Sequence, residues 1–213
     1  MAVTAQEFEA GMAHWRRRGW PTDLHNGFYA RLDAQNPRGD FSPQWWAGFL
    51  PHLTAWKAIR PASPRAVTAR VLDSLPELRQ AWRNSCSVIG DDDIAAVHWK
   101  TVEDLVGVVR TFKQRRLRPE PVRSPVFTSK FCHFLLPAVF PVVDGAAMGL
   151  PAGSEYRAHY EAVQREWEST PEHVQQELRS ALVEQVGAPL TPTFPVINKI
   201  VEICLIGRRH PRS

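Results

Sequence analysis

The chain is short of cysteine, of membrane-length apolar runs and of glycine-rich signatures, and each shortage closes a class of explanation. Its three cysteines, Cys86, Cys132 and Cys204, are odd in number and far apart. A disulfide framework is therefore excluded as the basis of the fold, and reduced, packed thiols are expected. No stretch approaches the roughly eighteen apolar residues that a membrane-spanning helix requires, and Glu7 and Glu9 sit where a secretory leader would be apolar. The expectation is a cytoplasmic protein with no membrane contact. The phosphate-cradling Walker loop, the dinucleotide fingerprint and the nucleophile elbow are all missing, which counts against nucleotide-driven and common hydrolase classes and calls for no cofactor. No metal is expected either: Asp91, Asp92 and Asp93 with His98 are more simply a loop and a helix start than a divalent site.

What is present is a globular composition. The 213 residues are 44% hydrophobic and 23% charged, enough for one substantial core. Apolar residues recur at three- and four-residue spacing, as in Phe8, Met12 and Trp15, in Leu24, Phe28 and Leu32, and in Val102, Leu105, Val109 and Phe112. That period is helical. Asp23, Ser42-Pro43, Ser63-Pro64 and Thr170-Pro171 are matching start signals, and only Val139–Val143, which holds Pro141, reads as extended. The fold class expected is all-α, a compact bundle of roughly eight to ten short helices. Residues 1–213 read as one domain, with a division into lobes 1–118 and 119–213 as the alternative and Arg118–Pro125 as the connector. Most of the eight tryptophans are expected in the core, because indole buries so much area.

A net charge of +4 is modest, yet the basic residues cluster in three runs: Arg16–Arg18; Lys113, Arg115, Arg116, Arg118 and Arg123; and Arg208, Arg209, His210 and Arg212. Runs brought together by folding would suit phosphates, and Arg115, Arg116, Arg118, Arg123, Arg208 and Arg209 are the expected nucleic-acid contacts. Solvated helix ends are the plainer account.

The densest chemistry lies between Ser124 and Asp144. Lys130, His133 and Phe134 are three and four residues apart on an apolar helix, Pro137 ends it, and Phe140-Pro141 leads to Asp144. Charges in such surroundings demand partners. Glu155, His159 and Tyr160 share another helical face, read as exposed surface or, alternatively, as a pocket wall.

The pattern Ser-Lys-x-x-His-Phe-x-x-Pro-x-x-Phe-Pro-x-x-Asp over Ser129–Asp144 is similar to one in uncharacterised bacterial proteins. More distantly, it resembles the helix-hairpin-helix DNA glycosylase superfamily, in particular its 8-oxoguanine glycosylase-like branch. The resemblance implies a DNA partner and excision of a damaged or modified base. Asp144 would take the place of the aspartate that stabilises the sugar cation, with Lys130 as a relocated amine nucleophile and His133 as a proton carrier or phosphate ligand. The family's glycine-apolar-glycine hairpin is replaced by Ser124-Pro-Val-Phe-Thr, and its lysine position falls near Pro125. The alternative is a non-catalytic helical module that binds nucleic acid or a protein, with Lys130, His133 and Asp144 structural.

Overall fold

The computed structural model describes residues 1–19, 26–35, 39–59, 62–113, 125–148, 150, 155–186 and 189–211. Asp23, Arg115, Arg116, Arg118, Arg123, Arg212 and Ser124, with the connector up to Pro125, lie outside the described residues. The rest is all-helical, with no strand among the described residues. Its helices are α1 (Ala5–Arg18), α2 (Asn26–Gln35), α3 (Pro43–Ala55), α4 (Pro64–Asp73), α5 (Leu75–Ile89), α6 (Trp99–Thr111), α7 (Pro125–Leu135), the single turn α8 (Gly145–Met148), α9 (Tyr156–Glu168), α10 (Glu172–Val186) and α11 (Val196–Arg209).

Local signals account for the boundaries. Thr4 and Glu7 form a reciprocal capping box at α1, and Gly19, at φ 65°, ends that helix in the left-handed region. Ser42 Oγ accepts the Trp45 N–H at 3.1 Å, and Pro43 occupies the first turn of α3. Ser63 precedes α4 without a side-chain cap. Thr170 has a different task from the one its sequence position suggests: its hydroxyl donates to the Glu166 carbonyl and accepts the Val3 N–H, pinning the N-terminal segment to the end of α9.

One hydrophobic cluster runs from Val3 to Ile206 and draws on both halves of the chain. At its centre is α7. From Phe127 to Leu135 every residue except Lys130 is buried, which is the pattern of a helix enclosed on all sides. Phe131 packs among Trp46, Phe49 and Phe112, with ring centroids 6.1, 5.0 and 5.4 Å away. The expected thiol chemistry holds: Cys132 and Cys204 are buried and free, and Cys86 is half-buried, its pKa pushed up to about 11 by desolvation.

The tightest helix crossing joins the two ends of the chain. A Cβ on Gly11 would lie 1.9 Å from the Ile203 carbonyl oxygen, and one on Gly207 would lie 1.8 Å from that of Glu7. Both clashes are with backbone, so neither helix can yield by turning a side chain. Arg208 bridges the crossing to Glu7 at 2.6 Å and to Glu166 at 2.9 Å.

Gly11→Ala and Gly207→Ala are each expected to cost about 3 kcal/mol or more by overpacking. Gly48→Ala, at a helical position with nothing within 4 Å of the added methyl, should instead stabilise by about 0.5 kcal/mol. Chemical denaturation of the three variants measures the contrast.

Candidate functional site

The segment that leads to Asp144 is irregular and buried from Phe140 to Val143, so its backbone polar groups cannot turn to water. Side chains meet them. His133 Nδ1 donates to the Phe140 carbonyl at 2.7 Å, Tyr156 OH to that of Pro141 at 2.9 Å, and His159 Nε2 to that of Val142 at 3.1 Å. Ser129 Oγ accepts the Val143 N–H at 3.0 Å. The Ser129 and His133 spacing, one turn of α7, is therefore a backbone receptor for this buried run.

These bonds determine the state of His133. A carbonyl only accepts, so Nδ1 carries the ring proton, and Nε2 takes the hydrogen bond of Tyr29 OH at 3.2 Å. Burial, reinforced by the nearby Lys199 ammonium, lowers its pKa to about 3. A fully buried, neutral ring with both nitrogens engaged cannot carry protons for a substrate near neutral pH. His159 and Tyr160 are buried too, not exposed helix surface: Tyr160 OH donates to the Val97 carbonyl at 2.9 Å, and burial lowers the His159 pKa to about 4.

At the end of the run Asp144 Oδ1 accepts the Ala147 N–H at 3.1 Å, capping α8. Asp144 and Lys130 then line a common pocket of about 500 Å³, walled by Trp15, Phe28 and Trp56, with Glu202 as a second carboxylate and Arg31, His52 and Lys57 also on its lining. The expected trio is thus divided: Lys130 and Asp144 open onto one cavity, and His133 is enclosed.

Lys130 is held at this wall by donating to the Trp56 carbonyl at 2.7 Å. Two residues on, Lys113 donates to the Ala58 carbonyl at 2.8 Å; burial and the neighbouring Lys130 charge lower its pKa to about 8. Two ammonium groups therefore grip the carbonyl-rich end of α3. Between them Lys57 adopts φ 56°, the only positive φ at a non-glycine residue among the described residues. The clamp holds a conformation that costs a lysine on the order of 1 kcal/mol and sets Lys57 on the pocket lining.

Sequence reasoning missed Lys199. It is fully buried, paired with Glu202 at 2.8 Å, and has its ammonium 5.1 Å from the Trp15 ring and 5.6 Å from that of Trp56. Two of the three aromatic walls, Trp15 and Trp56, thus pack on one cation. The signal was available: Lys199 and Glu202 are one turn apart in a stretch, Val196–Ile206, whose only other polar residue is Asn198. Among the other candidates, Arg208 is committed to Glu7 and Glu166, whereas Arg209 is exposed. His98 Nδ1 caps α6 and Asp93 Oδ1 caps the turn at Ala95, and no group of three acidic, histidine or cysteine side chains among the described residues could hold a metal.

Because the folded pKa values of His133 and His159 lie below the usual 6.5, the unfolded chain binds protons first as pH falls. Stability is full above about pH 6.5 and is lost towards pH 3 to 4, at roughly 1.4 kcal/mol per pH unit for each histidine that must stay neutral. Thermal melts across this range should show that slope, and His133→Gln should reduce it.

Comparison with protein-family models, curated proteins and solved structures finds no match to this chain.

Proposed function

We propose that this protein binds DNA, takes one base into the aromatic pocket beside Asp144 and releases that base by N-glycosidic cleavage. The observation that carries the reading is the shared cavity of Lys130 and Asp144, with Trp15, Phe28 and Trp56 as apolar walls for a planar ring. Cleavage breaks the bond from C1′ to the base nitrogen, the electron pair leaves with the base, and water adds to C1′. The base takes up one proton and the water gives one up. A carboxylate held by a backbone N–H, as Asp144 is, stabilises the positive charge that develops on the sugar. The pocket offers no role to His133, and the bond from Lys130 to the Trp56 carbonyl favours a positioning role for that lysine over nucleophilic attack.

The same bond also supports the second reading, a helical module that binds nucleic acid or a protein without chemistry, in which Lys130, His133 and Asp144 are all architectural. Base release from a panel of damaged and modified duplexes separates the two. On the enzymatic reading Asp144→Asn reduces release at least about a hundredfold with DNA binding and melting temperature retained. Lys130→Ala keeps release, and borohydride traps no covalent adduct of the wild type. Absence of release by the wild type across the panel leaves the non-catalytic module standing.

A further inference from the structure

Two of the three basic runs, nearly two hundred residues apart, meet in space. The rings of His14, on α1, and His210, just past α11, stack with centroids 3.9 Å apart and planes inclined by 12°. Arg16, Arg17 and Arg18 close α1 on its exposed side, and Arg209 is exposed beside His210. The adjoining turns of the same helices supply Trp15, Gly19, Glu202 and Ile206 to the pocket lining. The meeting point is therefore within about one helical turn of the pocket along both helices.

We propose that the joined ends of α1 and α11 form a phosphate cradle in which Arg17, Arg18, Arg209 and His210 hold the backbone of a nucleic acid whose base enters the pocket. The inference rests on the pocket as a base site, though not on its catalysing cleavage. Complementing the helix dipoles accounts for a cation or two at each C-terminus, but not for two helix ends joined through stacked imidazole rings, with Arg17 and Arg18 near enough to act on His14. Like charges gathered this way repel, and a phosphate between them removes the repulsion; guanidinium forks match its oxygens two at a time. Crowding is evident at His14, whose pKa is lowered first by burial and then by His210, Arg18 and Arg17. The other described arginine of each run is engaged elsewhere: Arg16 bonds Gln185, and Arg208 is held by Glu7 and Glu166. With the backbone contact at Gly11 and Gly207, that network makes a firm base from which Arg17, Arg18 and Arg209 extend. The cradle also supplies what the missing glycine hairpin would otherwise provide, a fixed grip on backbone phosphate.

The test is fluorescence anisotropy with a labelled oligonucleotide, duplex and single-stranded, bearing an abasic-site analogue so that binding needs no base in the pocket. For Arg17→Gln/Arg18→Gln/Arg209→Gln the expected result is at least about tenfold weaker binding at low salt and a fall of about three in the slope of log K against log salt. Arg65→Gln/Arg83→Gln, which removes the same kind of charge from exposed positions on α4 and α5, should bind as the wild type does. Melting curves check folding; if the triple variant unfolds, each single variant should still lower the slope by about one. Unchanged slope and affinity in folded variants overturn the cradle. So does a wild type that binds anionic lipid vesicles but no oligonucleotide. Base release is scored separately: a cradle-dependent slope without release supports the cradle and removes only the glycosylase reading.

Discussion

The arrangement depends on a backbone constraint: four consecutive residues, Phe140–Val143, run through the interior outside any helix or strand, and their carbonyls and the Val143 N–H need partners that no helix or sheet supplies. Ser129 and His133 from α7, with Tyr156 and His159 from α9, meet that need. The preceding turn is treated the same way, since Asn198 of α11 donates to the Pro137 and Ala138 carbonyls at 2.7 and 3.1 Å. An unpaired buried donor or acceptor costs about 1–3 kcal/mol, so the run's placement and that of the helices around it are mutually enforced. Asp144 is where the run emerges. Its position at the pocket is a consequence of how α7, α9 and α11 serve the backbone before it.

The opposite wall is built on different physics. Trp15 arrives through the glycine crossing of α1 and α11, and Trp56 through the end of α3 that Lys113 and Lys130 hold by its carbonyls. Between the two indoles lies the ammonium of Lys199, paired with Glu202. A buried ion pair is poor evidence of stability, because desolvating both charges offsets most of their attraction. Placed behind a cavity whose lining includes Glu202, it is better understood as holding a carboxylate in position. Charge placement and the aromatic walls then belong to one unit.

The cations of the sequence divide by what they must satisfy. Lys113, Lys130 and Arg208 are drawn to carbonyls and carboxylates within the protein, while Arg17, Arg18 and Arg209 remain exposed. Position within a basic run did not foretell the difference. Arg208 and Arg209 are neighbours, yet helical geometry turns adjacent side chains about a hundred degrees apart, so one faces Glu7 and the other the solvent.

Read alone, the chain determined its helical class, most of the described helix starts and the burial of Cys132 and Cys204, because each follows from local spacing or capping chemistry; Val139, expected as part of an extended run, instead closes a turn onto Leu136. It also marked Lys130, His133 and Asp144 as exceptional, since ionisable groups among phenylalanines need partners wherever they go. Which partners they have was decided only by tertiary structure. His133 faces Tyr29 and the Phe140 carbonyl, Lys130 reaches a carbonyl from α3, and Asp144 shares a cavity with residues from both ends of the chain. The meeting of Trp15, Trp56, Lys199 and Glu202 was equally out of reach, because it depends on a crossing of α1 and α11 that two glycines permit and no local pattern announces.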